Sequence, residues 1–452
     1  MKVMKWSAIA LAVTAASTQM VNAAAFVDDQ AEAKGFIEGA TATALVRSMY
    51  WNQDNKNTAN DAKDWTLGLL GNFNSGFTQG TVGVGVDVFG YAGYKLDGST
   101  GGNGVQGASA GTGNAQVNSN NNREYNDSYG KAGAAVKFRI SKTELKIGDM
   151  QPSTSPVFAV GGSRLLPQTA TGVNLQSSEI QGLDVELGHF TSSTSPVSTN
   201  RSGGLYATYS GVSSDAVNFG GGRYTVNDQL SVGAYMSQFH NIWNQYYGNV
   251  NYALPLTDDQ SVTFDLNYYN TQDSGRADAG SINNNTYSLA AAYSFLTAHT
   301  VTLGFQKVNG STPFDYLGTG DNGKGAGGDS IFLSNSIQIS DFNSPGERSF
   351  KLQYDLNMAT YGVPGLTFLA KYVTGDHIRA SSNDAYINYG GFGEGGGKHH
   401  ETNVEAKYVI QEGPVKDLSF RTRLAWHSAS GGQVDGDGNN FRLIVDYPIT
   451  LL

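Results

Sequence analysis

Segment after segment of the chain alternates apolar with polar or small residues at a period of two, over roughly ten residues at a time. Val82, Val84, Val86 and Val88 share one parity, and Thr81, Gly83, Gly85 and Asp87 share the other. Ala134, Val136, Phe138 and Ile140 alternate with Lys137 and Arg139, and Val262, Phe264, Leu266 and Tyr268 with Asp265 and Asn267. Tyr287, Leu289, Ala291, Tyr293 and Phe295 continue the pattern. So do Phe350, Leu352, Tyr354 and Leu356 against Lys351, Gln353 and Asp355, and finally Phe441, Leu443, Val445 and Tyr447 against Arg442 and Asp446. Successive side chains of a strand point to opposite faces, so each segment reads as a strand with one apolar face. Counting them gives about eighteen.

A soluble sandwich alternates in the same way, and what flanks the strands discriminates between the two. Tyrosines and phenylalanines recur toward strand ends, as at Tyr246 with Tyr252, Tyr268 with Tyr269, and Tyr447, which is the girdle pattern of a lipid-facing band. Connections alternate in length. Asn227-Asp228, residues 256–260, residues 295–299 and Gly362-Val363-Pro364-Gly365 are tight, whereas residues 97–126, 309–328 and 376–398 are long, polar and glycine-rich. A transmembrane barrel has this asymmetry, with short periplasmic turns and long outer loops that stay outside or fold inward to narrow the lumen. It must also close, because an open sheet edge finds no water to bond in hydrocarbon. The predicted fold is therefore all-β: a closed, antiparallel transmembrane barrel of about eighteen strands.

The N-terminus sets the compartment. Lys2 and Lys5 precede an apolar stretch from Trp6 to Ala16 and a small-residue run from Val21 to Ala25. This is the pattern of a secretory signal peptide, too short to span a bilayer as a helix. Residues 1–25 are read as signal peptide and residues 26–452 as one barrel domain, with cleavage after Ala23 or Ala25. The rest of the 452-residue chain has no run of about 18 apolar residues, which excludes a helical membrane fold. An exported chain without cysteine is not built on disulfides. Glycine, at 58 residues, is well above the ordinary share, while 24 Tyr and 21 Phe speak against disorder. The formal charge of −10 makes nucleic acid a poor partner.

Specific motifs carry the reading further. Residues 147–152 read Ile-Gly-Asp-Met-Gln-Pro. They are followed by Ser155-Pro156-Val157-Phe158, by Ser163-Arg164-Leu165-Leu166-Pro167-Gln168-Thr169, by Gly172, and by Glu179-Ile180-Gln181-Gly182. These resemble the inward-folding loop of the OprD-type family of substrate-specific outer-membrane porins. The resemblance extends to Asp341-Phe342-Asn343, Pro345-Gly346-Glu347-Arg348-Ser349, Gly362-Val363-Pro364-Gly365-Leu366 and Lys416-Asp417-Leu418-Ser419-Phe420-Arg421, and so covers essentially the whole mature chain. It implies a monomeric eighteen-stranded barrel with an inward-folded constriction loop, a narrow eyelet, and a ladder of basic side chains that guides carboxylates. The chain departs from the common barrel pattern in ending Ile449-Thr450-Leu451-Leu452 rather than on Phe.

Strand parity independently sends many cations into the lumen. Arg421 and Arg423 share a face opposite Phe420 and Leu424, and Lys371 lies opposite Phe368 and Tyr372. Lys137, Arg139, Lys146, Lys351 and Arg442 likewise lie opposite the apolar positions of their strands. A charge facing lipid near the midplane costs about 2 to 4 kcal/mol, which makes the parity a physical constraint. Cations in a low-dielectric pore attract anions and hold carboxylates by charge-assisted bonds. They could equally pair with lumenal carboxylates such as Asp355, Glu405 and Asp446 and brace the wall. Thr374 is read as a wall position where the ladder lacks a base. Arg164, on the constriction-like loop, is either a selectivity filter or a loop anchor.

Other motifs carry less. Gly107-Ala108-Ser109-Ala110-Gly111 matches the hydrolase nucleophile elbow, but lies in a Gly/Asn-rich stretch instead of a strand-to-helix turn. Asp435-Gly436-Asp437-Gly438-Asn439 imitates the start of a calcium loop without its sixth and twelfth positions. In Lys398-His399-His400-Glu401, adjacent histidines of an extended chain point opposite ways, against a metal site within that run. No catalytic residue, cofactor or metal is expected. The leading function is passive, selective diffusion of small anionic or carboxylate-bearing solutes (amino acids or organic acids) across the outer membrane. The alternatives are a membrane-embedded hydrolase and a structural or adhesive barrel. An energy-coupled transporter is disfavoured, since a first strand beginning near Phe36 leaves no room for a plug domain.

Overall fold

The protein is described by a computed structural model covering residues 24–56, 61–99, 126–320, 326–387, 396–430, 433 and 435–452. Eighteen strands form one antiparallel sheet, and each pairs with its neighbours along the chain. The first strand, Thr41–Asn55, pairs with the second, Ala62–Asn74, on one side and with the last, Gly438–Thr450, on the other. The sheet thereby closes, and the backbone of every barrel strand is satisfied by a partner on each side. Among the described residues the helical pieces are short turns such as Met358–Tyr361, and no helix is long and apolar enough to cross a membrane.

The burial pattern is that of a barrel in lipid, with the apolar parity outside. Leu303 is 60% exposed and Leu352 53%, while Asn251, Asp265, Asn267, Asn403 and Arg442, all of the opposite parity in their strands, are buried. Outward aromatic residues include Trp65, Tyr246, Tyr268, Tyr293, Phe420 and Trp426. Tyr269 departs from the expected girdle. Its ring is fully buried inside, where its hydroxyl donates to the Pro156 carbonyl at 3.1 Å, because the next position in a strand must face the lumen.

At the end that carries both termini the connections are short. Strands Ser128–Ile140 and Thr143–Met150 are joined by residues 141–142, and Trp243–Thr257 and Gln260–Asp273 by residues 258–259. The predicted Gly362–Gly365 turn is present. Gly362 and Gly365 have φ of 82° and 86°, and a Cβ on Gly365 would fall onto the Val409 carbonyl, so both positions require glycine. The first strand begins at Thr41 and not near Phe36. The residues before it cross this end of the barrel. The Gln30 amide donates to the Thr78 carbonyl at 2.9 Å and the Phe26 N–H to Asp184 Oδ1 at 3.0 Å.

At the opposite end, residues 151–168, 195–216, 310–320 and 326–347 turn into the lumen. Strands Leu205–Ala207, Ser213–Ser214, Leu317–Thr319 and Ala326–Gly327 form a small second sheet from two of these segments. Most of the predicted loop at residues 97–126, including the Gly107–Gly111 motif, lies outside the described residues.

Candidate functional site

The inward segments stay inside because the wall beneath them is apolar. Leu165 and Leu166 are fully buried against Met49, Trp51, Leu70, Phe89 and Tyr91, all lumenal residues of neighbouring strands. Phe158 packs on Phe190 and Phe219, and the cluster continues through Phe239, Trp243, Tyr269 and Phe314. Gly68 lies under Leu165, whose Cδ1 would sit 3.1 Å from an added Cβ. Hydrogen bonds fix the register of the loop. Arg47 donates from Nη1 to the Gly162 and Arg164 carbonyls at 3.2 and 3.0 Å, and its Nε and Nη2 hold Asp446 bidentately at 2.8 and 2.9 Å. Gln168 donates to the Gly327 carbonyl at 2.7 Å, and the Asp329 N–H to the Ala159 carbonyl at 3.0 Å, which joins two inward segments into one constriction. The loop motif and Asp446 were singled out from sequence, but Arg47 and the apolar wall residues that hold the loop were not. Their signal was a break in the alternation, with Met49, Tyr50 and Trp51, or Leu69 and Leu70, apolar on both parities.

The predicted cations fall into three groups. Lys137, Arg139 and Lys146 sit toward the end that carries the termini. Lys137 and Lys146 grip Asp87 at 2.6 and 2.7 Å, Lys146 also lies 3.7 Å from Glu144, and Arg139 donates to Gln30 Oε1 at 3.1 Å. The Phe77 ring supports Arg139 from 4.0 Å and Lys137 from 4.9 Å. This group is knitted to the wall and to the N-terminal segment.

The second group forms an arc over adjacent strands. Arg423 lies across from Arg442 in the ladder and Glu405 across from Arg423, while Lys371 faces Gln353 on one side and Asn403 on the other. Two arginines share one carboxylate here. Arg421 holds Glu405 bidentately at 2.7 and 2.8 Å, and Arg423 Nε lies 3.1 Å from the same group. Arg442 has neutral partners: Asn440 Oδ1 at 2.6 Å, the Gln338 carbonyl at 3.1 Å and the face of Trp51 at 3.5 Å. Lys351 donates to the Ser334 carbonyl at 2.5 Å, tying the wall to an inward segment. Asp355 accepts from Gln353 at 2.7 Å.

Arg164 sits on the inward loop and completes the arc from within, its guanidinium 4.6 Å from the Trp51 ring that Arg442 also contacts. Among the described residues, Arg164, Lys351, Lys371 and Arg442 make no ion pair with a carboxylate. Thr374 does not belong to this wall. It is exposed on the lipid side, three positions from Lys371 and hence of opposite parity, and the lumenal positions there are Val373 and Gly375. The ladder is therefore not interrupted by Thr374.

Behind the constriction, Asp315 is buried and accepts the N–H groups of Tyr209, Ser210 and Tyr316 and the Tyr386 hydroxyl. Burial pushes its carboxyl up to about 6 in spite of those donors.

Comparison with known proteins agrees with this architecture. Residues 34–451 match the outer membrane porin, OprD family. Porin D of Pseudomonas aeruginosa is 58% identical over the whole of both chains. The crystal structure of OprD from the same organism superimposes with a TM-score of 0.80 at 52% identity, covering 95% of this chain and all of that one. OpdK of Pseudomonas aeruginosa, crystallised with vanillate, gives a TM-score of 0.80 at 29% identity over 92% of this chain and all of that one.

Proposed function

Because the chain belongs to the OprD family of outer membrane porins, we propose that its channel selects small carboxylate-bearing solutes, and that the arc of Lys351, Lys371, Arg421, Arg423 and Arg442 with Arg164 performs the selection. Membership in a family of channels sets aside the membrane-embedded hydrolase weighed above. The observation that carries the proposal is the excess of cations over carboxylates in the arc. Arg421 and Arg423 divide a single Glu405, and among the described residues Arg164, Lys371 and Arg442 make no direct ion pair with a carboxylate. A cation held by neutral neighbours keeps its field free for a passing anion. Fixed in a narrow, low-dielectric space, it replaces hydration that the carboxylate loses.

The roles separate accordingly. Arg164 and Arg442 both rest on Trp51, which holds the two guanidinium groups in place without neutralising them. Lys371 offers a mobile point charge between Gln353 and Asn403. Lys137, Arg139 and Lys146 brace the barrel. Vanillate, found with OpdK, is a small carboxylate, which fits the same chemistry here. One chain closes the whole lumen, which supports a monomeric channel, and residues 1–25 are read as the export signal that brings it to the outer membrane.

The test is a Lys371→Gln, Arg442→Gln variant that retains its heat-modifiable folded form, compared with Lys137→Gln. The arc variant should shift its reversal potential toward cations and lose carboxylate uptake by at least about tenfold, since a charge-assisted bond contributes about 1.5 to 3 kcal/mol. Uptake of a neutral solute of similar size should stay unchanged. Unaltered selectivity in the arc variant, or an equal shift in Lys137→Gln, overturns the proposal.

A further inference from the structure

At the loop end of the barrel, away from the arc, three side chains with no part in the transport reading converge. His399 comes from the strand Gly397–Val409, His427 from Ser419–Ala429, and Asp435 from the connection after it. One ligand-capable atom of each lies within 4.8 Å of the others. The two histidines are almost fully buried and Asp435 is half-buried.

Hydrogen bonding on the far side of each ring decides which nitrogen faces inward. His399 Nε2 lies 2.6 Å from Glu347 Oε1, and a carboxylate accepts, so Nε2 carries a hydrogen and Nδ1 is the nitrogen that faces the cluster. His427 Nδ1 lies 2.5 Å from the Gly436 carbonyl, which can only accept, so Nε2 presents the lone pair of that ring. His399 Nδ1 and His427 Nε2 face each other at 2.9 Å, within hydrogen-bond distance. A proton on either ring joins them as a hydrogen bond, and a metal cation that displaces that proton would join the same two lone pairs. The Gln433 amide lies 3.2 Å from His399 Nδ1, at the edge of the same cluster.

The surroundings are built for a ligand set. A carboxylate behind a metal-facing imidazole is the usual second partner that fixes tautomer and raises basicity, and Glu347 holds that place while also accepting from the Ser344 N–H at 2.9 Å. Gly375 makes room for the pair, since a Cβ there would collide with Glu347 Oε1 and sit 2.8 Å from His399 Nε2. Asp435 is oriented by the Ser340 hydroxyl at 2.6 Å. The Phe342 ring, 4.2 Å from the His399 ring, shields one side. Two imidazole nitrogens and a carboxylate oxygen, with one position left over, suit a borderline divalent ion of the zinc class better than calcium, which takes six or more oxygens.

We propose that His399, His427 and Asp435 bind one zinc-class divalent ion, and that this ion staples the inward segment 326–347, through Glu347 and Ser340, to two wall strands at the outer rim. The test uses the untagged full-length protein in detergent, stripped with chelator, re-equilibrated with micromolar zinc against a competing chromophoric chelator, and analysed by elemental mass spectrometry. The expected result is one zinc per chain and a melting temperature raised by zinc but not by calcium. His427→Ala should lose the bound zinc, and Glu347→Gln should bind about 10–100-fold more weakly. His400→Ala, whose side chain faces outward, should bind as the wild type does. Failure of the wild type to retain zinc overturns the proposal and leaves a proton shared between the imidazoles. Equal zinc uptake by a correctly folded His427→Ala protein, or loss in His400→Ala, also overturns it.

Discussion

Glu405 sets how much of the positive charge of Arg421 and Arg423 reaches the lumen, because it is the one carboxylate both touch. Its replacement by Gln keeps size and removes the counter-charge. Glu405→Gln should therefore make the channel more anion-selective, read as a reversal-potential shift opposite to that of Lys371→Gln, Arg442→Gln. On the outside of the wall the same residue chemistry has the reverse consequence. Leu303, 60% exposed near the middle of its strand, faces hydrocarbon, so Leu303→Lys should cost about 2 to 4 kcal/mol of folding stability. Thr302→Lys, one position away and lumenal, should cost less. Urea titration of refolded protein in lipid vesicles separates the two.

The constriction loop behaves as an element held by packing, with Arg47 as its main polar tether. Leu165→Ala with Leu166→Ala removes two fully buried side chains, each worth about 2–5 kcal/mol in a well-packed core. The barrel should survive on its own ladder, while the loop loosens and single-channel conductance rises and becomes noisier. Asp315 gives the internal segments a pH dependence. Its carboxyl titrates near 6 when buried and near its ordinary value when the segments are undocked, so between those values the packed form binds more protons. Packing is therefore favoured below that window and loses at most about 3 kcal/mol as pH rises through about 6. The melting temperature should fall between pH 4.5 and 7 in the wild type, and Asp315→Asn should flatten that slope.

For the whole molecule, closure and charge distribution matter most. The seam between Thr41–Asn55 and Gly438–Thr450 is reinforced at its end, where the Ala42 carbonyl accepts from Leu451 and Leu452 N–H at 2.8 and 3.2 Å. The chain is net acidic, yet the arc gathers six cations in one stretch of the lumen, so selectivity is a short-range property of the lumen. Anion preference should weaken between about 0.1 M and 1 M salt, as the Debye length falls from about 10 to 3 Å. Export should remove the leader and leave Ala24 or Phe26 first. The Ala24 carbonyl accepts from Arg223 and the Phe26 N–H donates to Asp184, so either start keeps the segment tucked into the barrel. Intact-mass measurement of outer-membrane protein retaining residues 1–20 would refute this.

The fold was legible in the sequence because a strand between lipid and lumen has a strict period of two, and lipid punishes each error of parity. The lumenal side of Arg421, Arg423, Lys371, Lys351 and Arg442 follows from that period alone, whereas the strand number rested on the period and the family resemblance together, and the asymmetry of the connections on their length and composition. Thr374 was misplaced where parity was not carried through from Lys371, and Tyr269 where an aromatic side chain was taken for girdle. What period two cannot express is which lumenal groups meet across the pore or from distant loops. The sharing of Glu405 by two arginines, the grip of Asp87 on Lys137 and Lys146, and the Trp51 contact with Arg164 and Arg442 join residues up to hundreds of positions apart. So does the meeting of His399 with Glu347, His427 and Asp435, invisible from a run in which adjacent histidines rightly point apart. Parity is a local consequence of backbone geometry and solvent, whereas pairing depends on shear and closure of the barrel, which only the tertiary structure decides.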